Sequence, residues 1–400
     1  MLLESRFEQV MSRICRDAAI PLRLVLWDGR RFDLSSNPTV TVAIPKPSAL
    51  RYFIAPDLNK LGEAFIEGHI RVEGSVQDIV KVGEGLARTF VANTRAGLHH
   101  LIRHSRSRDR RAIEYHYDVS NDFYSLFLDE NMVYSCAYFR DENDSLETAQ
   151  VRKLDHILDK LVLKPGERLL DIGCGWGALI VRAAKVYGAI ATGVTISQNQ
   201  LEHARDRIRA AGLQDRCTVQ LCDYRDIPGT GVFDKIVSVG MFEHVGLKNL
   251  HTYFGKIHSL LNDDGLVLNH GITSSDPDSR WLGLGVGEFI DRYVFPDGEL
   301  PHLTLVLEEM ARAGFEVADV ESLRRHYART CQEWESRLES NQEHAIAAAG
   351  EKRVRIWQLY LAGCAYGFAN GWINVYQVLA GKAGGGGINS LPLTRPTVPA

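Results

Sequence analysis

From about residue 145 onward, short apolar runs of strand length alternate with helical patterns. The runs fall at 168–172, 190–195, 218–222, 234–239 and 265–269, with a helical pattern between each and the next. Parallel neighbours need a crossover, which a helix supplies, and strands covered on both faces read as continuous apolar runs. The pattern predicts an α/β fold: an open, mostly parallel sheet with helices on both sides. Segments 315–320 and 372–379 are expected to add the last strands, for seven in all. The long helical stretch 331–368 between them is read as an excursion from the sheet. Asp144 and Glu147 fit a capping pair that opens a helix carrying Leu154, Ile157, Leu158 and Leu161 on one face.

The first hundred residues read differently. Alternation at 22–27 and 39–44, punctuated by Asp28-Gly29 and Pro38, predicts short strands, with another at 69–73. Helical patterns cover 59–67 and 76–88, so residues 1–100 are expected to form a small α+β domain. Residues 101–120 read as a linker holding the most basic run of the chain, 103–111, which is either a solvated connection or a docking element for an anionic membrane surface. Residues 121–382 form the α/β domain, and the glycine-rich 383–400 is expected to be a disordered tail.

Charge narrows the function classes. Of 400 residues, 46 are Lys or Arg and 50 Asp or Glu, a net charge of −4 that argues against a general nucleic-acid binder. Mean hydropathy is −0.15, and no run of about 18 uncharged apolar residues exists to span a bilayer. The first sixteen residues lack the apolar block of a secretory signal. The seven cysteines are odd in number, scattered and without a Cys-x-x-Cys pair, which reads as free thiols in a reducing cytoplasm. Zinc at Cys217 and Cys222 is disfavoured because no second ligand pair follows, and no metal is expected.

The strongest local signal is Leu169-Leu170-Asp171-Ile172-Gly173-Cys174-Gly175-Trp176-Gly177. An apolar strand ends in a Gly-x-Gly-x-Gly turn leading into a helix, where open α/β sheets admit a ligand close to the backbone. The spacing is not Gly-x-Gly-x-x-Gly, and no carboxylate ends the second strand, which opposes a dinucleotide site. With Asp171 ahead of it, the turn resembles motif I of S-adenosylmethionine-dependent methyltransferases.

Further motifs sharpen the resemblance. Thr195-Ile196-Ser197-Gln198-Asn199-Gln200, Tyr134-Ser135-Cys136-Ala137-Tyr138-Phe139 and Phe242-Glu243-His244-Val245-Gly246 resemble the cyclopropane-fatty-acyl-phospholipid synthases. So do the stretches 115–124, 326–330 and 360–365, and the likeness runs from about 112 to 382. It implies a seven-stranded Rossmann-like methyltransferase fold and a cofactor held by Tyr134, Ser135, Asp171, Gly173, Gly175, Thr195 and Gln200. The segment Asp223-Tyr224-Arg225 is then expected at the adenine end, although mycolic-acid relatives carry Trp where Tyr224 stands. The resemblance also implies a homodimer in the cytoplasm, peripheral to the inner face of the membrane and acting on unsaturated phospholipid acyl chains.

Attack of an isolated alkene on a sulfonium methyl leaves a carbocation that must lose a proton as the ring closes. Such chemistry needs a dry apolar tunnel, aromatic faces and a buried base. The family holds a bicarbonate ion for this purpose. Its ligands match Cys136, Glu243, His270, the backbone of Ile272, and Tyr327, where His270 and Tyr327 have hydrogens to donate and Glu243 has lone pairs to accept. Each alone has a plainer reading: His270 as a core histidine, Glu243 as half of a surface pair, Cys136 as a small apolar side chain, Tyr327 as a helix cap. Cys364 matches a cysteine proposed as catalytic in the family, but no group that would lower its pKa is visible around it. Competing functions are a fatty-acyl methyltransferase giving a methylene or methyl-branched product, an inactive lipid-binding protein on the same fold, and a small-molecule methyltransferase.

Overall fold

The computed structural model describes residues 2–17, 20–54, 58–90, 120–279, 292–294 and 298–394. The basic run 103–111 and the motif stretch 115–119 lie outside them. The chain forms two compact units.

The first unit contains the described residues up to 90, residues 292–294 and Cys331–Asn370. Its four-stranded sheet has the order β2-β1-β3-β4, built from β1 (Leu22–Leu26), β2 (Arg31–Asp33), β3 (Val40–Ile44) and β4 (Arg71–Glu73). β1 and β3 run parallel, and both alternate buried with half-buried residues, as a strand with one covered face must. Leu22, Leu24, Leu26, Val40, Val42 and Ile44 supply that face, and Phe7, Met11 and Ile14 pack into the same core. Those three lie on one stripe of the helix Leu2–Asp17, which was not among the expected elements although its i, i+4, i+7 spacing is plain in the sequence.

The helix Glu351–Ala369 packs against Val76–Phe90 in this unit, and Tyr366 Oη donates to the buried Glu84 carboxylate. This corrects the expectation of one continuous domain over 121–382, because the excursion between the last two strands of the large sheet belongs with the N-terminal residues. A helix can leave a sheet in this way when its apolar face finds cover elsewhere, and Val354, Trp357, Leu361, Ala365 and Phe368 are all buried.

The second unit carries the sheet predicted from the sequence. Its seven strands are β5 (Arg168–Ile172), β6 (Ile190–Thr195), β7 (Cys217–Leu221), β8 (Phe233–Val239), β9 (Leu261–Ser274), β10 (Phe315–Ser322) and β11 (Ile373–Lys382). Their order is β10-β11-β9-β8-β5-β6-β7; β7 through β9 are parallel, and β11 is antiparallel to both of its neighbours. Leu169, Leu266 and Leu268 face the core under the helices Leu146–Lys160 and Ala178–Val186, whereas Leu170, Ile172 and Val267 face the opposite core with Tyr253, Phe254 and Ile257. Two faces covered at once is what the continuous apolar runs required.

Two local expectations are corrected. Ser145, rather than Asp144, caps the helix Leu146–Lys160 by accepting from Thr148 N. Asp144 instead accepts from the backbone N–H groups of Arg140 and Asp141 and pairs with Arg152. The glycine run after β11 is also not a free tail over its described part. Gly386 N donates to Asp264 Oδ1 at 2.9 Å, and Ile388, in the short 3-10 turn Ile388–Ser390, packs on the core. A methyl group on Gly385, Gly386 or Gly387 would collide with Asp263, Asp264 or Gly265. Composition signalled flexibility there, but the glycines serve close backbone approach.

Candidate active site

The turn after β5 is the floor of the site. Gly173, Gly175 and Gly177 have φ of 82°, 52° and 83°, a left-handed region that side chains rarely adopt. Gly173 and Cys174 both donate their N–H to Val194 O of β6, locking the turn to the neighbouring strand. Trp176 is buried, and its Nε1 donates to Asn121 Oδ1 at 2.8 Å.

The cavity above this turn is lined by Tyr134, Ser135, Asp171, Gly173, Gly175, Thr195, Gln200, Asp223, Tyr224 and Arg225, so all ten expected cofactor positions converge there. Thr195 Oγ1 donates to Gln200 Oε1 at 2.8 Å, and Ser197 caps the helix Gln198–Ala210 by accepting from Gln200 N. Asp223 holds Arg225 through Nε at 2.8 Å and a second guanidinium nitrogen at 2.6 Å, and the guanidinium lies 5.4 Å from the Tyr224 ring centroid. Tyr224 is buried edge-on to Tyr253, which gives the position an aromatic wall despite the absent Trp. Asp171 is buried with Oδ1 lacking a hydrogen-bond partner among the described residues, and desolvation pushes its carboxyl up to about 7, opposed by the charge of Lys153. A buried acceptor left open at the end of β5 suits a ligand that brings its own donor.

Gly240 and Met241 continue the cavity wall into the 3-10 turn Phe242–His244 after β8. This turn delivers Glu243, which is buried and so is not half of a surface pair. Its Oε1 accepts from Ile272 N on β9 at 2.6 Å, while Oε2 is buried without a partner among the described residues. Burial outweighs that hydrogen bond and pushes the carboxyl up to about 7. One residue before Gly271 on β9, His270 is 2% exposed and faces its register partner Gln377 on β11. Gln377 Nε2 donates to His270 Nδ1 at 3.2 Å, so the ring carries its proton on Nε2, which is itself buried and open. Burial first, then the charges of Lys153 and Lys160, pushes the imidazole down to about 3, so it is neutral.

Cys136 and Tyr327 meet at one carbonyl: Cys136 Sγ donates to Leu323 O at 3.7 Å, and Tyr327 N donates to the same oxygen at 3.0 Å. The Cys136 thiol is fully buried, and desolvation raises it far above its ordinary range, so it acts as a thiol and not a thiolate. Cys136 and His270 share Lys153 and Glu321 as charged neighbours. Cys364 is in the other unit, on the helix Glu351–Ala369, where burial pushes it up to about 12, against the effect of Tyr360. A thiol held protonated in this way is no nucleophile.

Sequence reasoning passed over three residues. Gln150 and Lys153 sit one turn apart on the helix Leu146–Lys160. Gln150 Nε2 donates to the carbonyls of Val133 and Ser135, and Lys153 Nζ donates to Ser135 Oγ at 2.9 Å. The i, i+3 spacing of two polar residues on an otherwise apolar face was the available signal. Gln377, the third, has no local signal, since it is 107 positions from His270.

Gly271, between His270 and Ile272, has no room for a side chain, because a methyl there would enter the Phe242 ring. Gly271→Ala is expected to cost about 1–3 kcal/mol of stability through overpacking. It should also lower turnover by displacing Glu243 beside Phe242, as read by thermal melting and steady-state kinetics.

A glycine turn at the carboxyl end of the first strand of a seven-stranded sheet, with an open buried carboxylate and hydroxyl and amide groups around one cavity, defines a class I S-adenosylmethionine-dependent methyltransferase. The comparisons give the family. Residues 104–378 match the family described as Mycolic acid cyclopropane synthetase, and residues 7–95 match a domain of unknown function (DUF7884). The chain is 48% identical over 376 residues to a "Probable fatty acid methyltransferase" of Pseudomonas putida, covering 94% of this chain and 95% of the relative. It is 36% identical to "Tuberculostearic acid methyltransferase UfaA1" of Mycobacterium tuberculosis, covering 92% and 90%. Among solved structures, mycolic acid cyclopropane synthase CmaA1 complexed with SAH and CTAB is 38% identical, with a TM-score of 0.64, covering 68% of this chain and 98% of that one. This chain belongs to the mycolic acid cyclopropane synthetase family.

Proposed function

We propose that this enzyme adds a methylene group across the cis double bond of an unsaturated acyl chain carried by membrane phospholipid. The observation that carries the reading is the pair of open, buried polar atoms beside the cofactor cavity, Glu243 Oε2 and His270 Nε2. One is an acceptor and the other a donor, in a site dry enough to keep the imidazole neutral. They fit a small oxyanion bearing one hydroxyl hydrogen, such as bicarbonate, with Cys136 and Tyr327 as its further neighbours and Ile272 N already given to Glu243.

S-adenosylmethionine supplies an electrophilic methyl group, and bicarbonate, when bound, a proton acceptor. The chain's own residues do the rest. The β5 turn and Thr195–Gln200 fix the cofactor, and the buried cluster excludes water that would trap a cation. Glu243 and His270 hold the place where a proton leaves the transferred methyl. In balance, the alkene gains CH₂, the sulfonium becomes a neutral thioether, and one proton leaves. Peripheral attachment through the basic run 103–111, action in the cytoplasm and a homodimeric assembly belong to the same proposal; among the described residues, no helix is long and apolar enough to cross a membrane.

A second reading is favoured by one observation. Two relatives that match over nine-tenths of this chain are named as a probable fatty acid methyltransferase and a tuberculostearic acid methyltransferase. After a 1,2-hydride shift the same cation loses a proton from the transferred methyl to give a methylene branch, and a methyl branch follows only if a reductant then adds two hydrogens. Incubation with labelled cofactor and vesicles of unsaturated phospholipid, followed by mass and proton magnetic resonance of the acyl chains, decides. The expected product gains CH₂ and shows ring protons with no alkene signal. A surviving alkene signal at the same mass, or a product heavier by two further hydrogens, assigns the second reading.

A further inference from the structure

We infer that Lys153 is a positioning residue of the cofactor site: it orients the Ser135 hydroxyl beside the open Asp171 carboxyl in the same cavity, so that together they receive the zwitterionic amino-acid end of S-adenosylmethionine. Lys153 is 2% exposed, on the middle of the helix Leu146–Lys160, and lines the cofactor cavity with Ser135 and Asp171. Burying an ammonium group is costly unless it is paired and hydrogen-bonded. An apolar residue would fill the same helical position at less cost, so this cation calls for a use.

The geometry supplies one. An ammonium group has three hydrogens and no lone pair, so at 2.9 Å the Ser135 oxygen accepts from Nζ. Its own hydrogen must then point away from Nζ, and Ser135 lines the cavity. Gln150, one turn back, clamps the carbonyls of Val133 and Ser135, which removes the backbone freedom that would let Ser135 turn away. The hydroxyl is thereby committed to donating to an acceptor in the cavity, as a ligand carboxylate is. Asp171 supplies the opposite polarity. Its Oδ1 is buried and open, and a ligand ammonium is the donor that satisfies it.

Among the described residues Asp171 has no hydrogen-bonded cation, and the ionisable groups that act on it are few. Cys174, Cys217 and Tyr253 feel its charge, burial raises all three, and none of them stabilises a carboxylate. Lys153 is the charge that lowers it. Lys153 in turn faces Asp129 and Cys136 besides Asp171; burial lowers it to about 8, and these neighbours resist the fall, so it remains mostly protonated at neutral pH. Without Lys153, Asp171 retains only the burial that favours its neutral form, and a neutral carboxyl is a poorer partner for an ammonium.

The test is binding, not turnover. The probes are S-adenosylhomocysteine, which keeps the amino-acid end, and 5′-methylthioadenosine, which lacks it, each titrated calorimetrically into the full-length protein. Lys153→Met is expected to weaken S-adenosylhomocysteine at least tenfold and to leave 5′-methylthioadenosine within about twofold. In the unsubstituted protein, affinity for S-adenosylhomocysteine should fall as the pH drops through about 7, where Asp171 takes up its proton. In Lys153→Met that fall should begin at a higher pH, while 5′-methylthioadenosine shows no such dependence in either protein. If Lys153→Met does not fold, Ser135→Ala takes its place, with the same selective loss expected and the pH at which affinity falls unchanged. Equal weakening of both probes marks Lys153 as a general support of the pocket and overturns the inference. So does unchanged binding of S-adenosylhomocysteine.

Discussion

Glu243→Gln and His270→Ala are each expected to lower turnover on unsaturated acyl chains by roughly 10²–10⁴-fold, the span that a lost acid–base group usually costs. Cofactor affinity should stay within about twofold in both, because neither side chain lines the cofactor cavity. Glu243→Gln keeps the shape and one acceptor, and the amide oxygen can still receive the Ile272 N–H. What it loses is the carboxylate on the open side, so the effect should appear in kcat with little change in thermal stability. Since the Glu243 carboxyl is pushed up to about 7, turnover of the unsubstituted enzyme should decline as the pH falls through that value. In Glu243→Gln this limb should be absent from the pH–rate profile. Near-normal turnover in either variant would remove the oxyanion site from the mechanism.

The second large effect concerns the turn after β5. Gly175 has φ of 52°, and among the described residues beyond its two chain neighbours no atom lies within 4 Å of where a β-carbon would be. A valine there meets open cavity rather than protein, so the fold has room for it, and the volume it takes is the ligand's. A branched side chain in the left-handed region adds roughly 1–2 kcal/mol of backbone strain. Gly175→Val is expected to weaken S-adenosylmethionine binding more than tenfold, with Gly175→Ala in between, as measured by calorimetry. Circular dichroism and thermal melting would establish that the protein is folded. Unchanged affinity in a folded Gly175→Val protein would place the cofactor elsewhere.

What was legible in the sequence was legible for a physical reason. The strands of the large sheet are buried on both sides, so their apolar runs stand out, and the observed β5, β6 and β8 lie within a residue of their expected limits. β7 begins one residue earlier than expected, at Cys217, which faces the core while Thr218 is exposed. β9 extends through Asn269-His270-Gly271-Ile272, well beyond the apolar run that announced it. Polar residues continue that strand because they pair with β11, an interaction with no trace in local composition. The residues expected around the cofactor, which line one cavity, were legible because they cluster in short motifs, most of them next to a strand end. Lys153, Gln150 and Gln377 were not found, because their partners lie outside any local motif, 15 to 18 positions away for the first two and 107 for the third. The glycine run at 384–387 was misread because composition does not distinguish a glycine that is loose from one that is crowded.

The order of strands across the large sheet has a consequence for how the enzyme is born. β5 to β8, with the turn that receives the cofactor, are complete before the chain reaches residue 240. β11, the last strand to be made, takes the place between β9 and β10, both of which are older. Until it arrives, β10 has no neighbour to join, and the His270 ring lacks the amide that sets its proton. The 107 positions from His270 to Gln377 take about 5–20 s to translate at typical rates of roughly 5–20 residues per second. During that interval the nascent chain has the strands that line the cavity after β5 but not the pairing that fixes His270. The fold thus leaves the His270–Gln377 pairing until β11 has been made.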